Sequence, residues 1–245
     1  MDYKYVYILM GALFFLLWIF LFIWRKDVRK EMLNTSFLFV LAGPISEIAY
    51  YKDYWRPANL TNTQIGVIEA LFFAFALSGV ATVLYEIVLR KNLRGIHLSK
   101  KEHIKRNQFH HLVMWLLPGI FFLVFFVLGF NSLIATIFAF GVPILIMYIQ
   151  RSDLIIDSLF TGIFILLFAM IVYSFLEYVS PGWVHNFYLF KNVPDIVIFN
   201  VPIDDVIWYF MAGLFFGPLY AYRHDEIIIE STAKTLPDQV IENIK

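Results

Sequence analysis

Seven apolar runs, each long enough to cross a lipid bilayer, dominate this sequence. The hydrocarbon core of a membrane is about 30 Å thick, and an α-helix needs about 20 residues to span it. Such runs lie near residues 4–24, 33–51, 65–89, 110–130, 133–150, 154–179 and 200–222. Since 60% of the 245 residues are also hydrophobic, the pattern predicts an all-α integral membrane protein with seven transmembrane helices.

The basic residues are distributed unevenly between the connections. Of the 19 Lys and Arg residues, all but Lys4, Lys52, Arg56 and Lys191 follow the first, third, fifth or seventh run. Cytoplasmic segments of membrane proteins carry an excess of Lys and Arg. We therefore expect a multi-pass protein of the cell membrane with its N-terminus outside and its C-terminus in the cytoplasm.

Several classes of function are disfavoured by what the sequence lacks. The formal net charge is zero, so no nucleic-acid partner is expected. The sequence has no cysteine, no Gly-x-Gly-x-x-Gly or P-loop motif, and no lysine in the interior of an apolar run. We therefore expect no metal site and no cofactor, and a retinal Schiff base is excluded with them.

The two halves of the chain resemble each other. An offset of 135 residues aligns Ile68-Glu69 with Ile203-Asp204, Phe75 with Phe210, and Leu84-Tyr85 with Leu219-Tyr220. Arg-x-Asp corners also follow the first and fifth runs, at Arg25-Lys26-Asp27 and Arg151-Ser152-Asp153.

These matches predict two three-helix repeats, 1–89 and 131–222. A basic loop and a linker helix over 90–130 join them, and a cytoplasmic tail, 223–245, follows. Because one linker helix separates the repeats, both should have the same orientation, related by a pseudo-twofold axis along the membrane normal, with a site expected between them.

Five carboxylates lie in the outer parts of the predicted helices: Glu47, Glu69, Glu177, Asp204 and Asp205. A charge at the centre of a membrane helix costs about 2.5–3.5 kcal/mol on insertion scales, so such residues need a partner or a function. A buried carboxylic acid that stays protonated can donate a proton to an apolar substrate. Asp204 and Asp205 lie about 100° apart around a helix, so we expect only one to point into the bundle, and the repeat alignment selects Asp204.

Aromatic side chains accompany two of these acids. Trp208 lies one turn after Asp204, and Phe73 lies one turn after Glu69. Their π faces provide a surface that can stabilise a carbocation.

Other conspicuous residues have simpler explanations. Trp55 and Trp183, in the predicted outer loops, are expected to anchor the chain at the membrane interface. Glu86 and Asp157, near the inner face, are expected to pair with the basic loops. For Glu47 and Glu177 two interpretations stay open: they are near enough to the outer surface to reach water, or they serve a site.

The segment Asn200-Val201-Pro202-Ile203-Asp204-Asp205, followed by Trp208-Tyr209-Phe210, resembles the Pro-x-Glu-Glu/Asp motif of the membrane lycopene cyclase domain family. Members of that family are carotenoid ring-forming enzymes built from two small three-helix units, as separate subunits or fused in one chain. The resemblance covers helices one to three and five to seven. In this sequence Asp204 replaces the usual glutamate, and in the first half Ala70 takes the second acidic place, after Glu69.

This resemblance implies an intramolecular lyase or isomerase that closes end rings on a linear polyene without net redox change. Its substrate would be a hydrophobic isoprenoid or carotenoid, and it would need no cofactor. An acid protonates the terminal double bond, the next double bond closes a six-membered ring, and a base removes a proton. Asp204 and Glu69 are the candidate donor and acceptor, with Asp205 beside them. The candidate substrate-binding residues are Trp208, Tyr209, Phe73, Glu47, Glu177 and Pro202.

Two other functions fit parts of the pattern. Seven helices in a three-one-three arrangement also describe a small-solute transporter, although the third and seventh helices offer few polar side chains, mainly Ser78 and Thr82. The aspartate in place of glutamate leaves open a non-catalytic isoprenoid- or lipid-binding membrane protein. The sequence does not specify the oligomeric state.

Overall fold

The computed structural model describes residues 1–96, 100–192 and 195–230. Most of these residues are helical. Of the predicted cytoplasmic tail, 223–245, residues 231–245 lie outside the described residues.

The first half contains five helices. They are α1 (Val6–Trp24), α2 (Arg29–Phe39), α3 (Ala42–Asp53), α4 (Val67–Ala81) and α5 (Leu84–Val88). The α2–α3 pair is bent by 44°. Pro44 lies in the first turn of α3, and because proline has no N–H, it cannot continue the hydrogen-bond ladder of α2 across this point.

A linker and the second half follow. Strand β1 (Lys91–Gly95) leads to the linker helix α6 (Lys100–Phe122), which ends in a π-helical turn, Leu123–Val127. The remaining elements are α7 (Ser132–Gln150), α8 (Ile155–Val179), α9 (Trp183–Phe187), β2 (Val197–Ile198), β3 (Val201–Pro202), α10 (Ile203–Phe216), α11 (Leu219–Arg223) and β4 (Glu226–Glu230).

Four helices of the described residues are long and apolar enough to cross a membrane: Tyr3–Trp24, Ile104–Val127, Ser132–Gln150 and Ser152–Val179. The bent α2–α3 pair gives a fifth if it forms one span. The apolar helices associate the chain with a membrane. Within the described residues the predicted third and seventh helices are each broken, so they do not form uninterrupted spans there.

The break in the predicted seventh helix has a local cause. The predicted seventh helix ends at Gly217 and resumes after Pro218, since proline cannot bond the carbonyl four residues earlier. That carbonyl, of Leu214, accepts a hydrogen bond from Ser158 Oγ at 2.6 Å instead. With 15 and 14 residues, α4 and α10 are each only about 22 Å long at 1.5 Å per residue.

The helices pack in two groups. In the first, α4 packs against α1 and α2, and in the second, α10 packs against α7 and α8. Helix α6 packs chiefly against α7. Close approach of α8 and α10 depends on two glycines, because a Cβ added to Gly213 would lie 2.6 Å from the Cα of Gly162.

Antiparallel backbone pairs join the two halves at both ends. At one end β1 pairs with β4, from Lys91 opposite Glu230 to Gly95 opposite Glu226. At the other end Trp55 forms a β-bridge with Tyr188. The hydrogen bonds from Arg56 N to Phe187 O, 2.7 Å, and from Leu189 N to Tyr54 O, 2.9 Å, flank that bridge.

Both Arg-x-Asp corners form intramolecular ion pairs. Arg25 Nη2 lies 2.6 Å from Asp27, and Arg151 Nη2 lies 2.7 Å from Asp153. The hydrogen bond from the Arg25 guanidinium holds the pKa of Asp27 below its ordinary value. Each corner thereby fixes the exit of α1 or α7.

Two expectations from the sequence are wrong. Trp183 is fully buried against Tyr173, with ring centroids 4.9 Å apart, so it is a core residue of this structure and not an interface anchor. Glu86 and Asp157 are both 4% exposed and make no ion pair with a basic side chain among the described residues. Asp157 instead accepts a hydrogen bond from Thr161.

Candidate functional site

The predicted acids gather at one end of the bundle, where α3 and α8 end and α4 and α10 begin. A short hairpin, β2–β3, sets the start of α10. Its turn residues Phe199 and Asn200 both have positive φ, as a type I′ turn requires. Pro202 follows in extended conformation and precedes the first turn of α10. Two aspartates, Asp204 and Asp205, therefore lie at a helix N-terminus, where negative charge is stabilised.

Asp205 is held by two tyrosines. The Tyr173 hydroxyl, from α8, and the Tyr188 hydroxyl, from the segment after α9, both form short hydrogen bonds to Asp205 Oδ2. The two hydroxyl oxygens lie 2.7 Å from each other. Asp205 is 5% exposed, and both tyrosines are also buried. All the hydrogen bonds that this carboxyl group accepts within the described residues therefore go to one of its two oxygens.

Asp204 is also buried, but on a different side of α10. It is 6% exposed, and its polar neighbours are Asn192 and Asp53. Asn192 donates to Ser132 Oγ at 3.2 Å, and Ser132 N donates to Asp53 at 2.9 Å. The expectation that only one aspartate points inward is therefore not met, because the other one reaches a second protein interface between α3 and α7.

Glu69 and Glu47 form the acidic group of the first half. Glu69 is fully buried and accepts a hydrogen bond from Leu60 N at 2.7 Å through Oε1. Its Oε2 and both carboxyl oxygens of Glu47 are buried without a hydrogen-bond partner among the described residues. The Tyr7 hydroxyl is the electrostatic neighbour of both acids, and Tyr7 also neighbours Tyr173. Tyr7 therefore links the acidic group of the first half to the tyrosines around Asp205.

Glu177 has a separate role in the structure. It is half-buried, and its Oε1 accepts a hydrogen bond from Gly182 N at 2.7 Å. Gly182 has φ 82°, so this bond closes the turn between α8 and α9 at a residue that needs a glycine. No described hydrogen bond or ion pair joins Glu177 to the other four acids.

The predicted aromatic residues converge between α4 and α10. Phe73 lies 6.2 Å from both Trp208 and Tyr209, measured between ring centroids, and the latter two lie 5.2 Å apart. Trp208 Nε1 donates to the Tyr50 hydroxyl at 3.1 Å. Phe14 of α1 stacks parallel to Tyr209 at 6.1 Å. The acids therefore border a region of π faces with few polar groups.

Sequence reasoning missed the tyrosines, chiefly Tyr7, Tyr173 and Tyr188. One signal was available, because Tyr173 lies one helical turn before Glu177 and so shares its face of α8. Tyr188 had no such signal, since its position depends on the β-bridge to Trp55.

The side chains at the acidic end of the bundle determine which chemistry this region can support. Nowhere in the described part of the chain do three His, Cys, Asp or Glu side chains come together in a way that could hold a metal ion. What is present is a set of buried carboxyl groups, hydroxyl donors and aromatic rings. Such a set can transfer protons and stabilise a cation in an apolar substrate.

Residues 131–223 match the family model described as lycopene cyclase. No curated protein and no solved structure matches the chain. The matched segment begins just before α7 and ends with α11, so it contains Asp205, Tyr173 and Tyr188. Over this segment, the chain resembles the lycopene cyclase family.

Proposed function

We propose that this protein is a carotenoid cyclase that closes an end ring on a linear, lycopene-type polyene. The family match supports this class of function and a hydrophobic substrate in a membrane. It does not favour the small-solute transporter or the non-catalytic lipid-binding alternative. The observation that carries the proposal is the buried Asp205 carboxyl group, which two tyrosine hydroxyls hold by a single oxygen.

The tyrosine contacts suit Asp205 to be the proton donor. Because both hydroxyls engage Oδ2, a transferable proton belongs on Oδ1, which makes no described hydrogen bond. When that proton leaves, Tyr173 and Tyr188 stabilise the carboxylate that remains. Although the repeat alignment selected Asp204, its neighbours Asn192 and Asp53 place it beside another carboxylate, and we therefore assign the donor role to Asp205.

Glu69 and Glu47 suit the acceptor role. The acceptor must be a carboxylate before it takes up a proton. Leu60 N donates to Glu69 Oε1 at 2.7 Å, which stabilises that form of Glu69, and the Tyr7 hydroxyl neighbours both glutamates. The reaction is then balanced. Asp205 adds a proton to the terminal double bond, the next double bond attacks the resulting cation, and a new carbon–carbon bond closes the ring. A glutamate removes a proton from the ring, and the product is an isomer of the substrate.

The aromatic wall would stabilise the cation between these steps. Phe73, Trp208 and Tyr209 lie on α4 and α10, between the two acidic groups. A cation over an aromatic face gains about 0.5–2 kcal/mol, with the larger values in desolvated sites. We propose these rings as the walls of the pocket for the polyene end group.

We further propose that the two halves are repeats related by a pseudo-twofold axis. The offset of 135 residues also separates the helix breaks at Thr82 and Gly217 and the start of β1 from that of β4. It separates Arg90 from Asp225 as well, and both have left-handed backbones with φ of 52° and 53°. With α4–α5 and α10–α11 counted as broken spans, this arrangement supports seven crossings with the N-terminus outside.

Expression in lycopene-producing cells would test the function. Pigments would be separated by chromatography for the wild type, Asp205→Asn and Glu69→Gln. The adjacent, equally buried Asp204→Asn serves as the matched control. We expect cyclic carotenoid from the wild type, its loss in Asp205→Asn, and a smaller effect of Asp204→Asn. Unchanged lycopene with verified membrane expression of the wild type would refute the cyclase proposal, whereas equal loss in both aspartate variants would refute only the donor assignment.

A further inference from the structure

A cavity of about 650 Å³ lies at the end of the bundle opposite the acids. It opens between the end of α1 and the α5–β1 turn, and its polar lining is Arg25, Asp27, Arg90 and Asn92. Asp27 is already paired with Arg25 at 2.6 Å. Arg90 is exposed and makes no hydrogen bond or ion pair in the described part of the chain. The cavity therefore presents one uncompensated positive charge.

In the second half, Asp225 is the counterpart of Arg90, and side chains of the linker helix α6 cover it. Asp225 stands immediately before β4 with φ 53°, as Arg90 stands immediately before β1 with φ 52°. Asp225 lies 3.0 Å from Arg106 Nη1 and 3.6 Å from His110 Nε2, and both of these residues belong to α6. The linker helix thus supplies one cation, Arg106, to an acidic position in the second half, whereas no described helix covers the first-half position.

The charge at this position is reversed between the halves, so the complementary occupant of the cavity is an anion. An arginine guanidinium binds phosphate through two parallel N–H···O bonds. The left-handed backbone at Arg90 fixes where its side chain leaves the α5–β1 turn. These features favour a phosphate group over a diffuse counter-ion.

The apolar surroundings indicate where that phosphate comes from. Along α1, the side chains that lead to the cavity are exposed, with Phe20 at 57%, Ile23 at 65% and Trp24 at 60%. Leu89, beside Arg90, is 42% exposed. Tryptophan and arginine at the end of an apolar helix face are typical of the headgroup layer of a membrane. We propose that this cavity binds the headgroup phosphate of an anionic phospholipid, with the acyl chains along α1.

Native mass spectrometry of the purified full-length protein would test the proposal, with phosphatidylglycerol and phosphatidylcholine as the added lipids. The variant is Arg90→Asn, because asparagine tolerates a positive φ. The matched control is Arg94→Asn, which removes an exposed arginine of β1 outside the cavity. We expect preferential retention of phosphatidylglycerol by the wild type and by Arg94→Asn. In Arg90→Asn the affinity should fall roughly tenfold, which corresponds to about 1.4 kcal/mol.

Any of the following results would overturn the proposal of an anionic-lipid site. Equal retention of both lipids would exclude a site for anionic headgroups, and equal losses in both variants would mean a general effect of charge. Competition by millimolar inorganic phosphate would identify a free-phosphate site, and displacement of lipid by a co-purified acidic protein would identify a protein partner. If Arg90→Asn does not fold, Arg90→Lys replaces it. That variant keeps the charge and loses the two-bond geometry, so retention should fall below the wild type and above a wild-type sample in high salt.

Discussion

The crossing of α8 and α10 gives the sharpest prediction about how the site is held. A Cβ on Gly213 would lie 2.6 Å from Gly162 Cα and 2.8 Å from the carbonyl oxygen of Thr161. Carbon atoms in contact normally lie about 3.5–4.0 Å apart. Both clashing atoms belong to the backbone, so no side-chain rotation relieves them. Gly213→Ala must therefore move the two helices apart by about 1 Å.

The size of the expected loss of stability in Gly213→Ala follows from the packing. Overfilling a close-packed region costs about 1–3 kcal/mol, and for a chain of this size each kcal/mol lowers Tm by roughly 2–4 °C. The same shift separates Asp205 on α10 from Tyr173 on α8, whose hydrogen bond is already short. Since a misplacement of about 1 Å in an active site can reduce a rate by about 100-fold, we expect cyclisation to fall by roughly 10- to 100-fold.

The matched control is Gly141→Ala in α7. A Cβ there would meet only the terminal carbon of Met211, at 3.7 Å, which is an ordinary contact. Replacing a helical glycine with alanine without strain is neutral or stabilises by up to about 1 kcal/mol. Both variants would be compared by thermal unfolding in lipid nanodiscs and by product yield. If Gly213→Ala behaves like Gly141→Ala in both assays, the tight crossing does not position Asp205.

Two further predictions use paired variants. Tyr173→Phe and Tyr188→Phe should each reduce cyclic product about tenfold or more, because each removes one hydrogen bond to Asp205 worth about 1.5–3 kcal/mol when the carboxyl group is charged; wild-type yields from both variants would contradict the donor assignment. Arg151→Ala should destabilise the protein by about 1.5–3 kcal/mol, since its side chain is 7% exposed and also donates to a backbone carbonyl of β4. Arg25→Ala, at the more exposed corner, should cost about 1 kcal/mol or less, and equal losses in thermal unfolding would refute the distinction.

The sequence predicted where the acids lie because charge is expensive in an apolar helix. Five acids all near the same end of the apolar runs are not expected by chance. Four of them are buried at that end of the bundle: Glu47, Glu69, Asp204 and Asp205. The Arg-x-Asp corners were also readable, since the arginine and aspartate are two residues apart and can pair without any distant contact.

Features that depend on contacts between residues far apart in the sequence could not be predicted in the same way. Tyr188 reaches Asp205 only because the outer segments pair across the two halves at Trp55. The helix break at Pro218 was visible as a proline. The carbonyl that the proline leaves without a donor, of Leu214, instead accepts a hydrogen bond from Ser158 on another helix, and that contact was not predictable. Hydropathy averages over such positions, so it predicted one long span where two short helices occur.

The difference between the two acidic groups would allow the proposed repeats to carry out the proposed ring closure. Ring closure needs an acid that releases a proton and a base that takes one up, and two identical sites would compete for the same role. Here one group has hydroxyl donors on its carboxyl oxygen, from Tyr173 and Tyr188, and the other has buried oxygens without partners at Glu47. In the proposed reaction, Tyr173 and Tyr188 stabilise the carboxylate that Asp205 becomes when it gives up its proton. Glu69 must start as a carboxylate, and Leu60 N stabilises it by donating to Oε1. If Asp205 is the donor, removing both hydroxyls in a Tyr173→Phe/Tyr188→Phe double variant should stop ring closure even though every acid is kept.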